Sequence, residues 1–278
     1  MQIANPIYDI VFKFLMEDKP SAILLLSSII GEQIEELDFL PQENTLQMEQ
    51  RSLTVYRLDF AAKITTEAGQ KQVLIEIQKA KLPSDIMRFR RYLGEQYSNK
   101  NNHYRDSEGR KIPLPIITIY FLGYPLEHIR APIIKVNRHY YDLSSQQEIT
   151  IKETFIESLT HDSYIIQISQ LNPNHQSELE KLLSIFDQHQ HLATDKHILD
   201  INENNYPKKY CQLIRRLQRA IIEPKIRQTM DMEDEILQDL QNMERMINKK
   251  DKIIEAKNQA LKEKDQIIAE LQRKLLGK

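Results

Sequence analysis

Two stretches, Arg57-Leu58-Asp59-Phe60-Ala61-Ala62-Lys63-Ile64 and Val73-Leu74-Ile75-Glu76-Ile77-Gln78, decide the fold. In the first, Leu58, Phe60, Ala62 and Ile64 alternate with Asp59, Ala61 and Lys63, the period of a strand. In the second, Val73, Ile75 and Ile77 face one way and Leu74, Glu76 and Gln78 the other. Glu67-Ala68-Gly69-Gln70 between them reads as a turn, so the pair is a hairpin. If the two apolar sets share a face, Asp59 lies on the opposite face with Glu76 and Gln78. A turn centred between Glu67 and Ala68 pairs Asp59 with Glu76, their Cβ atoms about 5 Å apart. A turn one residue later pairs Asp59 with Gln78 and leaves Glu76 diagonal. Two carboxylates that close repel unless a cation lies between them, and hard oxygen ligands suit Mg²⁺ or Mn²⁺. Gln78 can orient a water beside such an ion but cannot act as a base. The same spacing also describes two solvated acids on the wet face of a hairpin.

Working outward, Pro20-Ser21 opens a helix that runs to about Ile30, where Gly31 stops it. Residues 37–50 read as a loose strand and connection. Pro83-Ser84-Asp85 begins a helix to about Asn99, and residues 101–115 are loop-like, with Glu108-Gly109 and two prolines. Ile116 to Leu122, IITIYFL, is a continuous apolar run of a buried central strand, ended by Gly123. Helix, strands, hairpin, helix and strand together make an α/β core over residues 1–145. Residues 146–228 read as a helical region, broken near Asn172-Pro173-Asn174 and Asn202–Pro207.

From Met230 to Leu276 there is neither Pro nor Gly. Leu240, Ile247, Ile254, Leu261, Ile268 and Leu275 recur every seven residues, within a long helix at 229–278. Three residues on from members of that series stand Met243 and Leu271, but Lys250, Lys257 and Lys264 lie between them. The seam is apolar throughout at one position and lysine-filled at the other. It predicts a coiled coil, hence a homodimer or higher oligomer through 230–276, with orientation open.

Composition narrows the functional classes. Glycine is scarce, at 6 residues, which argues against a glycine-rich phosphate cradle. The net charge of −2 gives no global nucleic-acid signature, so DNA contact would need a local basic patch. The single cysteine, Cys211, forms neither an intrachain disulfide nor a cysteine zinc cluster and fits a reducing, cytoplasmic setting. The longest apolar run, Ala22 to Ile30, is too short to span a bilayer, so no membrane partner is expected. His189-Gln190-His191 and His197 lack a companion carboxylate motif and read as ordinary histidines.

Asp59 and Glu76-Ile77-Gln78, set in that hairpin, resemble the core signature of PD-(D/E)XK nuclease-fold transposases. The recombination-promoting nuclease (Rpn, or YhgA-like) family is the most similar. Asp9-Ile10-Val11-Phe12-Lys13 resembles that family's opening Asp-x-x-Phe-Lys motif. Arg88, Arg90, Tyr92 and Tyr97 resemble its Arg/Tyr-rich helix. The similarity runs in matching order over residues 5–125. It implies a restriction-endonuclease-like αβββαβ core and a metal-dependent bacterial DNA endonuclease hydrolysing phosphodiesters. It makes Asp59 and Glu76 the metal ligands and Gln78 the third catalytic position, where the wider superfamily has lysine. It makes Lys13 a site-lining residue. Arg88, Arg90, Arg91, Tyr92 and Tyr97 would then contact DNA. The alternative is a weak or inactive nuclease fold that binds DNA or assembles through its C-terminal helix.

Overall fold

The computed structural model describes residues 1–40, 60–67, 69–80, 85–105, 108–171 and 177–276; for Asp85, Arg88, Glu270, Arg273 and Leu275 only the backbone is described. In chain order the first elements are β1 (Gln2–Ala4), α1 (Asp9–Met16), α2 (Lys19–Ile30), β2 (Ile34–Phe39), β3 (Phe60–Thr66), β4 (Gly69–Gln78) and α3 (Asp85–Ser98). Then come β5 (His103–Arg105), β6 (Lys111–Pro113), β7 (Ile116–Leu122), β8 (Ile133–Val136), β9 (Tyr140–Asp142), β10 (Gln147–Ile149) and α4 (Thr154–Leu159). The last are β11 (His161–Gln167), α5 (Glu178–Leu183), β12 (His191–Leu192), β13 (Asp195–Asp200), α6 (Cys211–Ala220) and α7 (Pro224–Leu276). The chain divides into two units, Met1–Met230 and Asp231–Lys278.

The first unit is α/β, built on a mixed six-stranded sheet in the order β2-β3-β4-β7-β11-β8. Strands β2, β3 and β4 form an antiparallel meander, β7 and β11 add in parallel, and β8 closes the edge antiparallel to β11. The β3–β4 pairs run from Phe60↔Ile75 to Thr66↔Gly69, the register of a turn centred between Glu67 and Ala68. Gly69 holds φ 111°, a value that L side chains resist.

One sheet face carries the main core. Phe60, Ala62, Ile64, Val73 and Ile75 are buried there, with Phe12 of α1 packed on Phe60 and Phe121. Helix α2 buries Ala22, Leu25, Leu26, Ile29 and Ile30 at helical spacing. Asp18 caps its start by accepting from the Ser21 amide, and Gly31 ends it in the left-handed region. The second face is covered too: Leu93 of α3 packs against Ala61, Leu74 and Ile116. The face bearing Glu76 is therefore dry.

Two expectations are corrected. Residues 146–228 are not a helical region: they supply β11 to the large sheet and β12 and β13 to a three-stranded sheet with β1. No domain boundary falls at 145, because β11 pairs residue by residue with β7. The physical reason is long-range pairing. His161, Asp162 and Ser163 are polar, and only the neighbouring strands make that segment extended. Within the expected 101–115 loop, β5 and β6 form a short hairpin. Among the described residues no helix is long and apolar enough to cross a membrane. The second unit is the helix from Asp231 onward, a long C-terminal helix as the heptad pattern predicts.

Candidate functional site

Strand β4 lies at the centre of the sheet, and its last turn of pleat sends Glu76 and Gln78 to the α3-covered face. Glu76 is 1% exposed and Gln78 8%, so neither is a solvated hairpin acid or amide. Val73 and Ile75 on the alternate positions belong to the main core, with Ile77 packed against it. That alternation fixes the orientation of the polar pair, since a one-residue slip would drive Glu76 into the apolar layer.

The parallel neighbour β7 supplies the surroundings. Its register sets Tyr120 beside Glu76 and Leu122 beside Gln78. The Tyr120 ring lies 4.3 Å from that of Phe89 on α3. Burial, with the charge of Glu76 adding to it, pushes the Tyr120 phenol well above its ordinary range. Tyr120 therefore stays neutral. Just past β7, Tyr124 donates its hydroxyl hydrogen to Gln78 Oε1 at 3.0 Å, and the Gly123 amide donates to the Gln78 carbonyl at 2.7 Å. With its oxygen committed to Tyr124, the Gln78 amide turns its NH₂ group, a donor, to the remaining side.

Asp59, the expected partner of Glu76, lies outside the described residues. The ladder is described as far as Phe60↔Ile75, the residues immediately after Asp59 and before Glu76. Among the described residues no three His, Cys, Asp or Glu side chains gather to hold a metal. A carboxylate buried to the depth of Glu76 suits a cation chemically, because a hard oxygen donor in a dry site is strongly stabilised by an adjacent positive charge.

Helix α3 covers this face through Phe89 and Leu93, and Gln96 accepts from Gln72 at 2.7 Å. Arg90 and Arg91 are exposed on it and Tyr92 is half-buried, while Arg88 is described only in its backbone. Tyr97 is hydrogen-bonded to His161 Nδ1 at 2.9 Å. Lys13 pairs with Asp9 at 2.6 Å on α1, whose Phe12 packs on the other sheet face. The structure thus joins Glu76 and Gln78 on one face of β4, the face against which Leu93 of the arginine-bearing helix packs. Lys13 lies on α1 in a part-buried ion pair with Asp9.

Tyr120 and Tyr124 are not singled out by their sequence, and Gly123 reads there only as the end of the strand. Tyr120 is a polar-tipped residue in an otherwise apolar IITIYFL run, two positions from Thr118 on the same strand face. That was the available signal. Of the histidines noted in the sequence, His189 pairs with the buried Asp187 at 2.7 Å, and His197 sits edge-on to Tyr8. Comparison with family models, curated proteins and solved structures returned no match.

Proposed function

We propose that this chain is a metal-dependent DNA endonuclease of the recombination-promoting nuclease type, acting in a bacterial cytoplasm. The observation that carries this reading is the buried Glu76 beside Gln78 on one face of the central strand, one step beyond the Phe60↔Ile75 pair. Helices α1 and α2, strands β2, β3 and β4, helix α3 and strand β7 follow the αβββαβ order of the resembled fold, which supports it further. Asp59 and Glu76 would hold Mg²⁺ or Mn²⁺, which when bound polarises a phosphoryl oxygen and lowers the pKa of its water. The Gln78 NH₂ group donates to a phosphate or water oxygen, held in orientation by Tyr124. Arg90 and Arg91 contact backbone phosphates from the exposed side of α3, and Tyr92 packs against sugar.

Supercoiled plasmid incubated with the purified chain and Mg²⁺ or Mn²⁺ tests this, alongside Asp59→Ala and Glu76→Ala. Loss of nicking in both variants is the expected result; equal nicking by all three proteins would sink the assignment. A second reading is favoured by the third position, where Gln78 stands with its oxygen engaged by Tyr124. It is a nuclease fold that holds DNA without cutting it. Salt-dependent DNA binding with no cleavage in any divalent metal would select it.

A further inference from the structure

Beyond Asp231 the helix exposes an apolar stripe. Ile247, Ile254, Leu261 and Ile268 are each more than half exposed, at 58%, 54%, 57% and 52%. Met246, Ile253 and Ile267, one residue earlier in the repeat, are exposed alongside them. An isolated helix gains nothing from such a stripe, and covering it is what drives helix pairing. The lysine row identifies the cover. In a parallel pair of identical chains Lys250 meets Lys250, Lys257 meets Lys257 and Lys264 meets Lys264, three successive like-charged layers in the seam.

We propose that residues 236–275 pair with the same segment of a second copy of this chain as an antiparallel coiled coil, with its two-fold axis between Glu255 and Ala256. In that register Lys257 faces Ile254 of the second copy, Lys250 faces Leu261, and Lys264 faces Ile247. Each lysine lays its aliphatic stem on an apolar neighbour and carries its charge to the rim. Met243, the apolar member of the same row, faces Ile268, and Leu240 faces Leu271. No layer joins two lysines, and no layer leaves an apolar residue facing solvent. Along one flank Met246 meets Ile267 and Ile253 meets Ala260. Along the other, Asp251 meets Asn258 and Glu244 meets Asp265, a like-charge contact at the solvated rim. The second copy is the occupant because the lysine and apolar rows of one sequence are complementary to each other when the chain is reversed. Pairing stands independently of the nuclease reading.

The test uses the full chain with Cys211→Ser and one outward spin label at Asn242→Cys. Antiparallel pairing separates the two labels by roughly 40 Å, 27 residues at 1.5 Å each. Parallel pairing brings them within roughly 20 Å, near the diameter of two helices. A dimeric mass by light scattering with the long distance is the expected result. A monomeric mass, or a dimer with the short distance, overturns the proposal. Ile254→Lys with Leu261→Lys places like charges against Lys257 and Lys250 in the seam and removes the apolar member of the four central layers. Loss of the long distance and return to monomer are expected, and a dimer that survives both substitutions excludes this seam.

Discussion

Replacing Gly123 with alanine puts a methyl group where the chain leaves no room for one. A Cβ at that position would lie 2.6 Å from the Lys79 carbonyl oxygen, 2.9 Å from Ile7 Cδ1 and 3.1 Å from the Gln78 carbonyl oxygen. The first and third are backbone atoms at the end of β4, so they yield only if the strand end moves. The Gly123 amide also donates to the Gln78 carbonyl at 2.7 Å, which ties the same two segments together. Overpacking of this kind costs about 1–3 kcal/mol. A unit the size of Met1–Met230 shifts its melting temperature by roughly 2–4 °C per kcal/mol. Differential scanning calorimetry of Gly123→Ala should therefore show a fall of roughly 4–8 °C for a central cost near 2 kcal/mol. Because the displaced backbone carries Gln78, the proposed DNA cleavage should fall together with stability. A Gly123→Ala protein that melts with the wild type would refute the claim that this glycine is required by close approach.

Gly94 provides the opposite case: it lies in exposed α3 with nothing within 4 Å of a Cβ, so Gly94→Ala should stabilise the unit by about 0.5–1 kcal/mol through helix propensity, read in the same calorimeter. Arg138 bridges Asp162 at 2.9 Å and Glu157 at 2.8 Å, and its loss leaves two facing carboxylates on a half-buried site. Arg138→Met should cost on the order of 2 kcal/mol at neutral pH, below the range for a fully buried pair. Burial alone would raise the Asp162 carboxyl, but the Arg138 hydrogen bond and charge outweigh it and hold it below its ordinary value. A depressed folded pKa gives stability that is full above the unfolded value near 3.9 and drains as pH falls through the lower folded value. Melting curves between pH 5 and pH 2 should thus fall more steeply in the wild type than in Arg138→Met; parallel curves would contradict the pairing.

What was legible in the sequence is what depends on neighbours along the chain. The helix opened near Pro20-Ser21 and its Gly31 stop are both local, and the structure has them, with the Asp18 cap added. The β3–β4 hairpin is local too, and of its two expected registers the observed one is set by Thr66↔Gly69. The long helix follows from a run without Pro or Gly and an unbroken seven-residue repeat. The missed parts are partnerships at a distance. β1 pairs with β13 nearly two hundred residues away, and β11 is extended because β7 and β8 hold it on both sides. Nothing in His161-Asp162-Ser163 has the alternation of a strand.

The candidate site divides along the same line. That Glu76 and Gln78 share a face follows from period-2 alternation within one strand, and the apolar residues between them enforce it. That the face is buried does not follow, because burial depends on where α3 lies after its crossover. Tyr120 and Tyr124 enter through the parallel register of β7 on β4, which no pattern within either strand specifies. Their arrival changes the chemistry available. Tyr124 donates to the Gln78 oxygen, which fixes the amide's orientation and leaves its NH₂ group as a donor. A donor at that position can steady a phosphate or the oxygen of a water, but cannot draw a proton from either. The proton of the attacking water must then pass to the phosphate itself or to solvent, and the ion that Glu76 is suited to hold would ease that transfer by lowering the water's pKa. Cleavage by this chain, where it occurs, should therefore respond more strongly to exchange of Mg²⁺ for Mn²⁺, which acidifies bound water further, than to Gln78→Lys. A Gln78→Lys variant that outpaces the metal exchange in initial nicking rate would instead identify the third position as the weak point of the site.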